Sequence, residues 1–262
     1  MESNSVVYNS PINITQAWGR GKQVFMNNWG ALAIVVFVPL IISIIFSALS
    51  NSFPRINGLF TLVSMVVSVW LSFNSLVIFL KAYDGKEFSP NELFASPTKQ
   101  LGTVLLAEIL IGLFFVVLGI ILVGIPVFMM VPTLIIHGNI SQGYIIYSVV
   151  SFLVFFAIAI YLGLKYMFFC VLIVDKNVGL MESFKLSSIM TKGKKAELFI
   201  FGLATGFMVI GLIILGFIFF IIGFFPAYLF AAIVSEIAQI HVYRNLYAKY
   251  ESTIMPLEVP VV

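Results

Sequence analysis

The sequence predicts an all-α integral membrane protein, with six transmembrane helices and amphipathic interfacial helices on the cytoplasmic face, arranged as three parallel repeats. Three observations carry this. Apolar residues make up 61% of the 262 positions and charged residues 10%, whereas a soluble domain is about half apolar and a quarter charged. The mean hydropathy of +1.12 is concentrated in unbroken runs, long enough to cross a hydrocarbon core of about 30 Å. A short polar signature recurs before apolar segments, as NITQAW at 13–18, SPNELF at 89–94 and GLMESF at 179–184.

Taken in order, Asn13 suits a helix N-cap and Gln16 the third helical position, so an interfacial helix is expected over 13–28, with Trp18 as its aromatic anchor. The polar stretch before the first apolar run does not resemble a cleavable signal, so the first span, 30–49, is expected to be retained. The second span covers 58–81. Ser89, Pro90 and Glu92 then approximate a capping box that starts a short helix, with Phe94 as anchor.

The third span covers 101–136, about 54 Å if straight. That exceeds the hydrocarbon core, so Gly124, Pro126 and Pro132 predict an end or sharp bend near Gly124. "PVFMMVPTLII" would follow as a short apolar segment, with "HGNISQG" as an exposed tip. The fourth span, 144–175, has the same excess and is expected to bend or project near its outer end.

Gly179 can only cap through its backbone, but Glu182 follows, and a second interfacial helix is expected over 179–195, anchored by Phe184. Helical spacing places Leu180, Ser183, Phe184, Ser187, Met190 and Thr191 on one face and Glu182, Lys185 and Lys192 on the other. The fifth and sixth spans cover 197–222 and 226–246. An offset of 166 residues aligns Ala17, Gly21, Val24 and Leu32 with Ser183, Ser187, Met190 and Leu198. Repeats of two spans each keep one orientation and would be related by an axis along the membrane normal.

Orientation follows from the basic residues. Arg20, Lys22, Lys81, Lys86, Lys99, Lys176, Lys185, Lys192, Lys194, Lys195, Arg244 and Lys249 fall on one side, 12 of the 14 lysines and arginines. Arg55 falls on the other and Lys165 within a span. The bias predicts a multi-pass protein of the cell (inner) membrane with both termini cytoplasmic.

Composition also narrows the function. A net charge of +3 is too small to suggest nucleic acid. The single Cys170 can form neither an intrachain disulfide nor a thiolate metal site, and no metal or cofactor is expected. The two histidines, His137 and His241, do not form a His-Glu-x-x-His pair, and there is no Gly-x-Ser-x-Gly elbow. "GRGKQ" at 19–23 lacks the spacing of a phosphate loop. The chain is therefore expected not to be an enzyme.

Polar residues within spans are the candidate site. At 1.5 Å per residue, Glu108 is about 10 Å into its span, Lys165 about 15 Å from Asp175 and Glu236 about 12 Å from Arg244. Asn74 and Thr205 lie at similar depth. Such residues usually face the bundle and find partners. Together they would either line a cavity for a polar or lipid headgroup, as in a carrier, or pin helices, with Lys165 in ion-pair reach of Glu108 or Glu236.

Three stretches carry a resemblance: "FLKAYDGKEFSPNELF", "VLIVDKNVGLMESFKLSSIMTKGKKAELFIFGL" and "VYRNL". The second holds Val174-Asp175, Gly179, Ser187 and Thr191-x-Gly193. In these the chain resembles a prokaryotic family of six-span proteins that includes YciC-like proteins, related to the membrane region of some glycerophosphoryl diester phosphodiesterases. That region is not their catalytic part, so the resemblance implies a membrane domain of unassigned activity. The chain departs from the family in about 30 extra residues after "VGIPVFMM". The function expected is a non-enzymatic accessory or scaffold acting on lipids or partner proteins. The alternative is a small transporter or lipid-translocating protein. Membrane lipids are the expected partners, with a protein partner or a second copy of the chain beside them.

Overall fold

The structure is a computed structural model that describes residues 11–95, 99–137, 142–218 and 220–254. Among the described residues there are nine α-helices and no strand. Six helical stretches are long and apolar enough to cross a membrane: Ile14–Ser52, Pro54–Tyr83, Gln100–Met129, Gln142–Lys176, Lys195–Gly216 and Gly223–Ser252.

Helix α1 (Ile14–Ser52) starts where the Asn13 side chain accepts the Gln16 N–H at 3.0 Å. It is broken at Asn28 (φ −134°, ψ 21°), whose side-chain amide turns back to the Val24 carbonyl at 3.2 Å. The break falls between the expected 13–28 helix and the first span. The part before it packs against other helices, with Ala17, Gly21 and Val24 buried. A Cβ on Gly21 would stand 2.7 Å from the Val234 carbonyl oxygen, so only glycine permits this approach.

A 3₁₀ turn, Pro54–Ile56, leads into α2 (Asn57–Tyr83). The next signature, Pro90–Phe94, is a 3₁₀ turn in which Ser89 and Glu92 form both halves of the capping box. Helix α3 (Lys99–Gly119) passes through a π-helical turn, Ile120–Gly124, into α4 (Ile125–His137). The Ile125 N–H bonds to the carbonyl of Ile120, five residues back. Pro126 follows; its ring would clash with an ordinary preceding turn, and the wider turn makes room for it. An end or sharp bend was expected near Gly124; the structure has this π-helical turn there, and the helix continues through it. Of the expected exposed tip, residues 138–141 lie outside the described residues.

The fourth span is one helix over its outer part and breaks near its other end, which was not expected. It consists of α5 (Gln142–Lys165) and α6 (Phe169–Lys176), broken at 166–168, near the end that carries Asp175. No proline or glycine lies at 166–168, and the backbone groups freed there are held by helix α7 (Leu180–Met190) and the residue after it. The Ser187 hydroxyl donates to the Lys165 carbonyl at 3.1 Å and accepts the Phe168 N–H at 3.3 Å. The Thr191 hydroxyl lies 3.1 Å from the same carbonyl. Backbone groups freed inside a membrane must find such partners. Ser183, Ser187, Met190 and Thr191 are buried, while Glu182, Lys185 and Lys192 are exposed, as the helical spacing requires. Gly193, at φ 78°, makes the left-handed turn into α8 (Lys195–Ile218), and α9 (Phe220–Ile254) follows with Pro226 inside it.

The buried side chains gather at one end of the bundle. They include Ala17 to Val35 of α1, Val69 to Ala82 of α2, Leu101 to Ala107 of α3, Leu198 and Phe201 of α8, and Ala231 to Leu246 of α9. We call this the basic end, because Arg20, Lys81, Lys176, Lys194 and Arg244 lie on these helix ends. The start of α1 and the end of α9 meet there, Ala17 packing with Tyr243 and Leu246. Toward the opposite end the helices present exposed apolar side chains such as Ile44, Leu62, Phe128, Phe152 and Leu215.

Candidate functional site

Helix α2 runs out at Asp84 and α6 ends just past Asp175, where Asn177 takes a left-handed conformation (φ 54°) and its N–H closes on the Ile173 carbonyl. These two carboxylates from distant parts of the chain face one guanidinium. Arg244 Nη1 donates to Asp175 Oδ2 at 2.8 Å and Nη2 to Asp84 Oδ2 at 2.8 Å. The fixed fork of arginine suits two carboxylates at once. Tyr243, fully buried, donates its hydroxyl to Asp175 at 2.7 Å. Lys176 and Lys86 stand 3.6 Å and 3.4 Å from Asp175 and Asp84. The Arg244 Nε is buried and has no partner among the described residues.

A second set joins α1, α2 and α9. Arg20 donates to the Tyr83 carbonyl at 3.2 Å and lies 5.4 Å over the Tyr83 ring. The Tyr83 hydroxyl meets His241 Nδ1 at 2.9 Å, and Asn245 meets His241 Nε2 at 3.1 Å.

Beside the arginine clamp, an open cleft of about 490 Å³ lies between the last turns of α2, the 3₁₀ turn, the start of α3 and α6. Phe73, Val77, Leu80 and Val174 give it apolar walls; Asn74, Lys81, Asp84, Lys86, Glu92, Gln100 and Asp175 give it polar ones. Lys81 pairs with Glu92 at 2.7 Å. The Asn74 amide donates to the Leu93 carbonyl at 2.9 Å and Trp70 Nε1 to the Ala95 carbonyl at 3.1 Å, which holds the 3₁₀ turn on α2.

The polar residues expected to form one cluster go to separate partners. Asn74 lines the cleft. Thr205 accepts from Trp18 Nε1 at 3.3 Å. Glu108 is half-buried on α3, and Glu236 is exposed on α9 although Ile233, Val234, Ile237 and Ala238 beside it are buried. Among the described residues no hydrogen bond or ion pair links any two of the five. The ion pair expected from Lys165 to Glu108 or Glu236 is not formed. The helix breaks immediately after Lys165, and its ammonium sits 5.0 Å over the Tyr166 ring instead.

Of the aromatic anchors, Trp18 is bound to α8 through Thr205, and Phe94 is exposed against Trp70 at 6.2 Å. Phe184 packs against Tyr166 at 5.2 Å and Phe169 at 5.3 Å.

Sequence reasoning passed over Asp84, Asp175, Tyr243 and Arg244 because it searched within spans, and these sit at their ends. A signal was present: Asp175, Ser187, Thr191 and Arg244 all lie in the stretches that carry the family resemblance.

Fold and site together define a multi-pass helical membrane protein whose basic end is held by an arginine between two aspartates. Residues 20–250 match the model of the family described as Protein of unknown function (DUF975), and the chain belongs to that family. No curated protein and no solved structure gave a match.

Proposed function

We propose that the chain is a non-enzymatic accessory or scaffold of the cell membrane that acts on lipids or partner proteins at its basic end. One observation carries this: ion pairs at that end join different elements. Arg244 links α9 to the ends of α2 and α6, and Lys81 links α2 to the 3₁₀ turn. Such cross-links suit a stiff platform.

In this proposal the basic end and both termini face the cytoplasm, in keeping with the lysine and arginine bias. The signatures at 13–18, 89–94 and 179–184 mark related units, the segments 13–28 and 179–195 lie at the interface, and the family is kin to YciC-like proteins and the phosphodiesterase membrane region. Partners are membrane lipids and a protein partner or second copy. A reporter fused after Val262 is expected to be active only as a cytoplasmic fusion.

The functional test is purification in native lipid particles, with mass spectrometry of what accompanies the chain. A lipid class enriched over the bulk membrane, or a protein in fixed ratio, is expected. A second reading, a small transporter, rests on Glu236, an exposed carboxylate on a helix whose neighbouring positions are buried. Solute uptake into proteoliposomes that Glu236→Gln abolishes would replace the first reading with the second.

A further inference from the structure

We infer that Lys165 and Lys195, at the seam where α5 meets α8, hold the phosphate of an anionic phospholipid, with an acyl chain lying along the face of α8 below them. This rests on the lipid-acting reading above and names the lipid class and its place.

The two lysines come from different helices and are brought together by the joint after α7. The Thr191 hydroxyl lies 3.1 Å from the Lys165 carbonyl, which ties the end of that helix to the end of α5. Gly193 then turns the chain, and α8 opens at Lys195. There the Lys195 ammonium stands 3.9 Å over the Tyr161 ring. Lys165 follows Tyr161 by four residues, one helical turn, a spacing that puts their Cβ atoms about 5–6 Å apart. One phosphate bridges a gap of that size when each ammonium holds an oxygen at about 2.8 Å. The Lys165 ammonium, 5.0 Å over the Tyr166 ring, reaches it by a swing of its flexible stem.

The pair lacks a counter-charge. Among the described residues no carboxylate lies within ion-pair distance of Lys165 or Lys195. Glu197, the acid nearest to Lys195 in sequence, is already engaged by Lys194 at 2.6 Å and by the Ile12 N–H at 2.9 Å. Lys185 and Lys192 also have no carboxylate, but both are exposed, whereas Lys165 and Lys195 are half-buried. Half-buried ammonium groups at the end of apolar spans call for an anion, and basic sites between helices at the cytoplasmic face suit lipid phosphates.

The face of α8 below the pair says that the anion carries a tail. Gly202 and Gly206 follow Lys195 by seven and eleven residues, within about 20° of it around the helix. A Cβ on either would meet nothing within 4 Å. Phe199 and Leu203 beside them are exposed. An open apolar strip leading into the membrane from a pair of cations fits a phosphate and an acyl chain on one molecule.

The test is binding to the purified full chain in an uncharged detergent, read by native mass spectrometry. The probes are short-chain phosphatidylglycerol, short-chain phosphatidylcholine and free glycerol phosphate. Phosphatidylglycerol is expected to bind more tightly than phosphatidylcholine, whose quaternary ammonium adds a third cation. Lys165→Gln and Lys195→Gln should each weaken phosphatidylglycerol about fivefold, the worth of one lysine at a membrane surface. Lys185→Gln, an equal change of charge at an exposed position, should not. Gly202→Leu fills the strip without touching either lysine, and so tests the site even if a glutamine variant fails to fold; it should weaken both lipids. Equal affinity for the two lipids, glutamine variants without effect, or Lys185→Gln acting as strongly as they do each overturn the inference. Glycerol phosphate binding as tightly as phosphatidylglycerol overturns a lipid ligand in favour of a soluble one. None of these outcomes touches the broader reading, which falls only if neither lipid nor protein accompanies the chain in native lipid particles.

Discussion

Helices α2 and α9 bury 33% of their most apolar stretches inside the protein, whereas the span of α3 and that of α5 and α6 bury 6%. All are hydrophobic enough to cross a bilayer, and the better-buried pair is the less hydrophobic of the two, so greater hydrophobicity does not explain the burial. Lipid tails are as apolar as leucine, and association inside the membrane depends on close packing and polar contacts. The well-buried pair has both: Gly21 against Val234 where α1 crosses α9, and Arg244 between two carboxylates. The other pair forms an arm that joins the core chiefly at the basic end, where Val104 and Ala107 pack with Phe73 and Ile173. Beyond that it presents side chains such as Phe114 and Phe152 outward. Close contact, not greasiness, separates core from arm.

The comparison can be broken most sharply with two glycines. Gly21→Ala places a methyl 2.7 Å from the Val234 carbonyl, while an equivalent methyl at Gly112 of α3 meets nothing within 4 Å. The first should cost about 3 kcal/mol, at the upper end for overpacking, because backbone must move. The second should be neutral or stabilising by up to about 1 kcal/mol. Unfolding midpoints in one detergent decide it; equal shifts would mean the α1–α9 contact is not close.

Next in size is the clamp. Arg244→Met leaves two partly buried aspartates without the guanidinium they share, though Lys86 and Lys176 stay near, and should cost about 2 kcal/mol. Asp175→Asn should cost more than Asp84→Asn, since Tyr243 also binds Asp175. Combining Arg244→Met with both asparagines should recover part of the loss, and strict additivity would show no coupling.

A smaller effect tests the joint between arm and core. Ser187→Ala and Thr191→Val each remove a hydroxyl from the Lys165 carbonyl and should cost about 1 kcal/mol. Hydrogen exchange should rise at 166–168 ahead of the core; uniform loosening would count against a local joint.

Smallest of all, Phe152→Leu in α5, where the ring is 54% exposed, should stay within about 0.5 kcal/mol. Phe201→Leu, at 1% exposed in α8, should cost about 1 kcal/mol.

What could be read from the sequence was local. Asn13 and Ser89 cap where their spacing to Gln16 and Glu92 predicts, and Pro126 marks the interruption beside Gly124, because these effects act within a turn or two. The break at 166–168 could not be read there, since the groups that hold it, Ser187 and Thr191, come from another part of the chain. The candidate site was harder still. Asp175 and Arg244 are 69 residues apart, and Asp84 and Arg244 are 160 apart. Depth along a span does not reveal which helix ends meet. Lys165 shows another limit: counting along the span could not reveal the helix break next to it, where its ammonium lies over a tyrosine.

The place of Arg244 in the last helix bears on how the protein is made. Asp84 leaves the ribosome long before Arg244, and Asp175 also precedes it. The glycine contact of α1 likewise waits for Val234. Until α9 is inserted, neither the clamp nor the α1–α9 packing can form, so every shorter nascent chain lacks the contacts that close the basic end. Closure of the basic end thus waits for α9, and chains truncated before it should be released to membrane quality control as open bundles.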